Sequence, residues 1–242
     1  DILRVKGSQI RPERQFTQTG FELIGEDSYL ADVEVISLAI ESLKKAGVPN
    51  ISIDLTFPSF VETICSDVNL NTEESSVIKK LLDKKDLVSL KKIKFSNSIE
   101  IFQDILNSIG PVEQALSIFK SLEMSDRASN IIMHIEDVYK VITNLLPNLS
   151  ITLDLSELNG FEYHTGIGFS LFSPYAKFEL GKGGRYLTSK NESAVGFSVY
   201  LDSLLKITEY SKKVKRILLP INTPYHEAKT LRESGWSTVI LF

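Results

Sequence analysis

The sequence predicts an α+β protein, in which a helical insertion interrupts a sheet. Segments with the two-residue alternation of strands occur near the start of the chain and return in its second half. Between them, apolar residues follow helical spacing. We therefore expect a discontinuous sheet domain over residues 1–57 and 148–210, a helical insertion over residues 58–147, and a short C-terminal strand-helix-strand unit over residues 211–242.

The first part of the chain predicts a strand, a helix and a second strand. Aromatic and β-branched residues indicate a strand over Phe16–Ile24. The following helix, Asp32–Ala46, has Asp32 as its predicted N-cap and ends before Gly47. Residues 51–55 then alternate between apolar and polar, which is typical of a half-buried strand.

The insertion predicts several helices. One apolar face stops at Gly110 and comprises Phe102, Ile105, Leu106 and Ile109. Pro111 is predicted to open the next helix. A longer apolar stripe then runs from Ala128 to Leu146 and stops at Pro147.

A lysine-rich segment lies inside the insertion, between Lys79 and Lys94. Leucines are interleaved with its lysines, so the segment predicts the solvated face of short helices. The alternative is a contact to RNA or to an acidic partner.

Strand patterns return after the insertion. They cover residues 151–155, 167–172 and 194–200, and a short helix is predicted over residues 201–210. A further strand is predicted to end in a glycine-rich turn, Gly181–Gly184. In the last unit, strands at residues 217–219 and 238–241 enclose a helix at residues 225–233 that ends before Gly235.

Composition excludes several classes of protein. The 242 residues have a formal net charge of −4, which gives no global attraction to nucleic acid. A single cysteine, Cys65, excludes an intrachain disulfide and a zinc site with several cysteines.

No apolar run approaches the roughly 20 residues of a membrane helix, and no targeting leader is recognisable, so we expect a cytoplasmic protein. Because the chain starts at Asp1, we expect part of the natural N-terminus to be absent from it.

No common catalytic or metal-binding motif occurs in the sequence. The three histidines, His134, His164 and His226, are not at metal-ligand spacing, and we expect neither a metal ion nor a catalytic residue. The glycine-rich run at Gly181–Gly184 lacks the spacing of a phosphate-binding loop. Its glycines still allow the backbone to approach a ligand closely.

Two polar groups indicate a ligand pocket. Residues 162–165 place Glu, Tyr, His and Thr directly before a predicted strand, as in a pocket wall, although an ordinary hairpin gives the same pattern. Gln18 and Glu22 are four residues apart on one strand, so their side chains share a face and can hold a cation or an amine together. The alternative for this pair is an exposed polar sheet face.

Four segments, in order, resemble the catalytic domain of histidyl-tRNA synthetase, a class II aminoacyl-tRNA synthetase. R-Q-F-T-Q-T-G-F-E-L-I-G (Arg14–Gly25) is similar to the end of motif 2 of that family, and Arg4 falls at the motif's earlier arginine. F-E-Y-H-T-G (Phe161–Gly166) resembles the histidine-specific L-D-Y-Y-T-G, and G-K-G-G-R-Y (Gly181–Tyr186) resembles G-G-G-R-Y-D. G-F-S-V-Y-L-D-S-L-L (Gly196–Leu205) resembles motif 3. The resemblance implies a class II synthetase-like antiparallel sheet that is flanked by helices.

Two departures from this family concern its arginines. The arginine that opens the histidine-specific segment is replaced by Asn159, and the arginine of motif 3 by Ser203. A synthetase needs fixed cations to hold the ATP phosphates and to stabilise charge on the transferring phosphoryl group. We therefore expect no formation of histidyl-adenylate.

The positions that match the amino-acid pocket of the family are largely kept. The resemblance implies a histidine-binding set of Arg4, Gln18, Glu22, Tyr163, His164 and Tyr186, with His164 where the family more often has tyrosine. The chain keeps the residues of the amino-acid pocket but lacks two arginines that would bind phosphate. In this combination it resembles the ATP phosphoribosyltransferase regulatory subunits, a synthetase-like family of bacterial histidine biosynthesis.

That resemblance implies a non-catalytic protein with histidine as a bound effector and no other cofactor. Its implied partner is the short-form catalytic subunit of ATP phosphoribosyltransferase, in a hetero-oligomer around a homodimer core, with no membrane or nucleic acid. Two alternatives remain: a divergent but active histidyl-tRNA synthetase, and a module that uses the fold to bind tRNA.

Overall fold

The structure, a computed structural model, describes residues 1–3, 5, 14–94, 99–158, 160, 163–208 and 215–241. The chain divides into two compact units, Asp1–Thr208 and Glu209–Phe242. No helix in the described residues is both long and apolar enough to cross a membrane.

The first unit contains nine strands and eight helices within the described residues. Its strands are β1 (Ile2–Leu3), β2 (Gln15–Phe16), β3 (Gln18–Ile24), β4 (Ser52–Thr56), β5 (Gly110–Pro111), β6 (Ser150–Leu153), β7 (His164–Phe172), β8 (Gly181–Leu187) and β9 (Ser193–Tyr200). Its helices are α1 (Tyr29–Lys45), α2 (Ser59–Asp67), α3 (Thr72–Asp83), α4 (Leu87–Leu90), α5 (Ile99–Asn107), α6 (Val112–Lys120), α7 (Asp126–Leu145) and α8 (Leu201–Ile207).

A seven-stranded sheet forms the centre of this unit, in the order β3-β9-β8-β7-β4-β6-β5. Its neighbouring strands are antiparallel except β4 and β6, which pair in parallel. Parallel neighbours require a crossover connection, and helices α2 to α7 supply it between β4 and β6. The predicted α+β class, with helices inserted into the sheet, is confirmed.

The two faces of the sheet differ in chemistry. On one face, Leu55 of β4, Phe169 of β7 and Phe197 of β9 lie in one row across the sheet and belong to the hydrophobic core. Helix α1 packs near this face, in contact with β3, β8 and β9. The opposite face, which we call the site face, carries polar and small residues from β3, β8 and β9. They are Gln18, Gly20, Glu22, Lys182, Gly184, Tyr186, Gly196 and Ser198.

The predicted role of Asp32 as an N-cap was wrong. Helix α1 starts at Tyr29 with Ser28 at its N-cap, and Asp32 lies inside its first turn with no exposed surface. The carboxylate accepts a hydrogen bond from Arg185 instead of capping the helix. Gly47 follows the helix with a φ of +87°, as a glycine after a helix end should.

The insertion is helical as predicted, with one difference at its centre. Helix α5 buries Phe102 and Ile105 but ends at Asn107, so Ile109 lies beyond the helix and is 40% exposed. Gly110 and Pro111 then form β5, which pairs with the edge of the sheet. Pro111 is the N-cap of α6 rather than its first residue.

The lysine-rich segment is an exposed face of α3 and α4, as predicted. Its leucines Leu82 and Leu90 have no exposed surface, whereas most of its lysines are exposed. Helix α3 begins with a capping box between Asn71 and Glu74. The inserted helices and the sheet contribute to one hydrophobic core. The division of the unit at residues 57 and 147 stays a prediction.

The predicted turn at Gly181–Gly184 was wrong, because these residues form the first part of β8. A Cβ atom on Gly183 would lie 2.2 Å from the carbonyl oxygen of Gly196 and 2.6 Å from Cζ of Phe169. Close packing against β7 and β9, and not a chain reversal, therefore requires glycine at Gly183. The connection between β7 and β8 is the preceding segment, residues 173–180.

The second unit contains β10 (Lys215–Leu219), α9 (Tyr225–Glu233) and β11 (Trp236–Ile240). The two strands are parallel, and Lys215 pairs with Trp236 at the start of the register. Gly235 ends the helix with a φ of +90°. The predicted strand-helix-strand unit is confirmed.

Candidate functional site

Four of the six predicted binding residues lie together on the site face and its rim. Glu22 on β3 and Tyr186 on β8 are separated by the intervening strand β9. The Tyr186 hydroxyl hydrogen-bonds to the Glu22 carboxylate. The ring of Tyr163 lies 6.0 Å from that of Tyr186, edge to face, and 4.1 Å from the imidazole of His164. A carboxylate is thus bordered by an aromatic wall.

Two glycines make room for the side chains of this cluster. A Cβ atom on Gly184 would lie 2.4 Å from Cδ2 and 2.8 Å from Nε2 of His164. A Cβ atom on Gly196 would lie 2.7 Å from Cγ of Glu22. The imidazole of His164 and the side chain of Glu22 therefore occupy space that a side chain on Gly184 or Gly196 would fill.

His164 and Tyr163 are consecutive but differ strongly in exposure. His164 is 7% exposed and starts β7, whereas Tyr163 precedes the strand and is 62% exposed. The buried imidazole is a fixed part of the wall, and the exposed Tyr163 ring is its outer surface.

Gln18 shares the site face with Glu22 but does not contact it. Four residues of strand separate the two by about 13 Å along β3. The Gln18 amide nitrogen donates a hydrogen bond of 3.0 Å to Oγ of Ser198. Its amide oxygen is buried and has no hydrogen-bond partner among the described residues. The two side chains therefore lie towards two ends of the site face, and their joint binding of a cation or an amine stays a prediction.

Burial first, and then the hydrogen bond to Glu22, raise the pKa of Tyr186 to about 12. The phenol therefore remains a neutral hydrogen-bond donor throughout the physiological range. Its partner Glu22 is exposed, so the carboxylate can accept further hydrogen bonds from a ligand. A carboxylate beside π faces is suited to an amine or another cationic group.

Lys182 links β8 to the segment that precedes the site. Its Nζ donates a hydrogen bond of 3.1 Å to the carbonyl oxygen of Gly160. Gly160 has a φ of +81°, a backbone conformation that favours glycine. The predicted residues Arg4, Asn159 and Glu162 lie outside the described residues, and Ser203 is buried in α8 with 1% exposure.

Sequence reasoning missed a buried ionic network beneath the site. Arg185 is 5% exposed, and its guanidinium donates to the Asp32 carboxylate at 2.9 Å and to the carbonyl oxygens of Glu26 and Ser28. His134 lies on the other side of Asp32, with 2.8 Å between Nε2 and Oδ2. Arg185 directly precedes Tyr186 on β8. Because neighbouring residues of a strand point to opposite faces of the sheet, its side chain faces away from the site. That alternation is the one signal that indicated a core-facing arginine.

The described residues contain no cluster of three metal-ligating side chains. A cleft of about 640 Å³ lies in the helical region and not at the site. Its lining combines α2 and α3 with Leu158, and includes Glu62, Cys65, Ser75, Lys79, Lys80 and Asp83.

Comparisons with known proteins agree with this architecture. The family model described as Histidyl-tRNA synthetase matches residues 1–204. An ATP phosphoribosyltransferase regulatory subunit of Rhodospirillum centenum is 38% identical over 98% of this chain and 62% of the relative.

Two solved structures share the fold. A regulatory subunit/histidyl-tRNA synthetase from Bacillus halodurans has a TM-score of 0.77 at 23% identity, covering 96% of this chain and 64% of that one. The ATP phosphoribosyl transferase (HisG:HisZ) complex from Thermotoga maritima gives 0.64 at 17%, covering 76% and 65%. The chain spans less than two thirds of the length of each of these proteins. Because the family model covers most of its length, the chain belongs to the histidyl-tRNA synthetase family.

Proposed function

We propose that this protein is a regulatory subunit of ATP phosphoribosyltransferase, the enzyme of the first step of histidine biosynthesis. In this role it completes a short-form catalytic subunit and carries feedback inhibition by histidine. The name of the Rhodospirillum centenum relative supports this role over most of the present chain. The single observation that carries it is a synthetase-like amino-acid pocket kept without two of the expected phosphate-binding arginines.

The pocket is proposed to bind free histidine as an effector. The amine of histidine meets the Glu22 carboxylate, and Gln18 contacts the ligand further along the same strand. Its imidazole ring meets the wall formed by Tyr163, His164 and Tyr186. The hydrogen bond between Tyr186 and Glu22 supports this assignment, because it orients the carboxylate before the ligand arrives. Arg4 is proposed to complete the set on the carboxylate of histidine.

The protein is proposed to stop at binding and to catalyse no adenylation. Asn159 and Ser203 stand where the family has arginines. Loss of one preorganised transition-state donor costs about 2.7–4 kcal/mol, so the loss of two reduces the rate by several orders of magnitude. No cofactor other than bound histidine is proposed.

The proposed partner is the short-form catalytic subunit, in a hetero-oligomer built around a homodimer of the present protein in the cytoplasm. The complex from Thermotoga maritima, which shares the fold, supports such an assembly. Feedback inhibition requires that histidine bind the inhibited assembly more tightly than the active one.

Titration calorimetry with L-histidine tests the pocket. We expect Glu22→Gln to weaken binding at least about tenfold, because one charge-assisted hydrogen bond is worth about 1.5–3 kcal/mol. Glu34→Gln is the matched control, since Glu34 is an exposed carboxylate on α1, outside the site. Equal affinity in the wild type and Glu22→Gln would contradict the assignment of the pocket.

Reconstitution tests the role in the assembly. A short-form catalytic subunit is assayed with and without this protein, and then with added histidine. We expect activity only with both chains, and inhibition by histidine that Glu22→Gln weakens. Histidine-dependent exchange of pyrophosphate into ATP by this protein alone would instead establish an active synthetase.

A further inference from the structure

One lysine of the helical insertion reaches the segment that leads into the candidate site. Lys85 follows the C-cap residue of α3. Its Nζ lies 2.5 Å from Oδ2 of Asp154, 2.7 Å from Oγ of Ser156 and 3.6 Å from Oε2 of Glu157. These three partners belong to one stretch, residues 154–158, which we call the connecting segment. It runs from the end of β6 towards Gly160 and Tyr163.

The backbone at Lys85 supports a specific role for its side chain. Lys85 donates its N–H to the carbonyl of Leu82, and Asp86 donates to that of Leu81, which is the hydrogen-bond pattern of a Schellman motif. The residue at this position usually is glycine, because it adopts a left-handed conformation. Lys85 has a φ of +54°. A lysine here accepts backbone strain and places its ammonium group on the connecting segment.

The connecting segment is otherwise fixed to the sheet. Asp154 donates its N–H to the carbonyl of Leu55, and its Oδ1 accepts hydrogen bonds from both the N–H and the hydroxyl of Ser156. The Thr56 hydroxyl donates to the carbonyl oxygen of Glu157. Ser156 has no exposed surface. The segment is therefore a well-defined structure, and not a loose loop that Lys85 meets by chance.

Negative charge surrounds the Lys85 ammonium group. Burial raises the pKa of Glu157, and the nearby carboxylates of Asp154 and Asp83 act in the same direction, whereas Lys85 lowers it. Without this cation, Asp154 and Glu157 would repel each other within the segment. Loss of the lysine side chain should therefore loosen the segment locally.

We propose that Lys85 is a positioning residue of the histidine site, through which the helical insertion holds the segment leading to Tyr163 and His164. Gly160 follows the connecting segment in the sequence, and its carbonyl oxygen accepts a hydrogen bond from Nζ of Lys182. Leu158, in the connecting segment, also lines the cleft between α2 and α3. The insertion therefore contributes to the affinity of the pocket for histidine, and this inference rests on the proposed function.

Hydrogen exchange on the uncomplexed protein tests the positioning without any ligand. The variant Lys85→Gly suits the test, since glycine keeps the left-handed helix end and removes the side chain that carries the ammonium group. We expect exchange to rise in peptides covering residues 154–158 and to stay unchanged in α7. Lys84→Gly is unsuitable as a control, because Lys84 caps α3 in a right-handed conformation. The control is Lys92→Met, since Lys92 is an exposed lysine of the lysine-rich segment.

Calorimetry then measures the consequence for the site. Lys85→Gly should bind histidine about three- to tenfold more weakly than the wild type, since a partly buried ion pair contributes a modest energy. Lys85→Arg, which keeps the cation, should restore most of the affinity, and Lys92→Met should bind as the wild type does.

The outcomes separate the two proposals. If the wild type binds no histidine while exchange rises at residues 154–158 in Lys85→Gly, the effector proposal fails and the positioning of the segment stands. Unchanged exchange in that segment would overturn the role of Lys85. A uniform rise of exchange through the whole first unit would overturn it as well, because Lys85 would then support general stability only.

Discussion

Glu22 and Tyr186 define the chemistry of the site at the scale of single residues. An exposed carboxylate has many possible orientations, and the hydrogen bond from a half-buried phenol selects one of them. Burial and the same contact both raise the pKa of the phenol, which therefore stays protonated. The pair therefore presents a negative acceptor with a neutral donor attached, which suits an amine better than an anionic ligand.

The raised pKa of Tyr186 gives a testable prediction. In an ultraviolet titration of tyrosinate, the difference between the wild type and Tyr186→Phe should show one group with a pKa of about 12. Glu22→Gln should lower this pKa, and burial should still keep it above the ordinary value of 10.0. Because the folded state holds the proton more tightly, the contribution of Tyr186 to stability is complete below pH 10 and is lost as the pH rises towards 12. A difference spectrum that titrates at the ordinary value would show that the phenol is not buried against Glu22.

Single residues also show where sequence reasoning ended. Glu22, Tyr163, His164 and Tyr186 were predicted as a set from the family resemblance, and they lie together. Asp32 was misassigned because an acid in the first turn of a helix fits the macrodipole and looks like a cap. Its true partner, Arg185, is 153 residues away in sequence, and only the assembled sheet brings the two groups within 2.9 Å.

At the scale of elements, β8 is the clearest case of a pattern with two physical origins. Clustered glycines permit either a turn with left-handed backbone conformations or a close approach between neighbouring strands. The first origin was predicted, and the second is found. Helix and strand periodicity located most other elements, whereas β5 escaped prediction because two residues, Gly110 and Pro111, carry no periodic signal.

Substitution of Gly184 tests whether β8 is shaped around His164. Gly184→Ala should lower the free energy of unfolding by about 1–3 kcal/mol, because the new methyl group overlaps the imidazole. Gly110→Ala is the matched control, since Gly110 has a φ of +151° against +156° for Gly184 but no atom within 4 Å of its Cβ position. Urea denaturation measures both variants. Equal losses in the two would mean that backbone conformation alone requires the glycine, and that His164 adapts without cost.

At the scale of the whole molecule, the sheet and the insertion share one hydrophobic core. Leu153 of the sheet and Phe102, Phe119 and Ile135 of the inserted helices belong to one hydrophobic cluster. A change in the insertion can therefore reach the sheet through packed side chains. The sequence could indicate that helices are inserted there, but not that they pack into the core of the sheet, because periodicity shows which face is buried and not what covers it.

The second unit should be the least stable part of the chain. Among its described residues only Leu219 and Ala228 are buried apolar residues, and its sheet has two strands. A core of this size contributes little against the entropy of folding. Trp236, the only tryptophan in the sequence, lies in β11 and reports on this unit alone.

We therefore predict two separate transitions in urea. Tryptophan fluorescence should change at a lower urea concentration than far-ultraviolet circular dichroism, which follows the many helices of the first unit. The fluorescence transition should also be broad, because the slope of the unfolding free energy scales with the surface exposed. In Trp236→Phe the fluorescence signal should vanish while the main dichroism transition keeps its midpoint. Coincident midpoints in the wild type would contradict the prediction, since both units would then unfold as one cooperative structure.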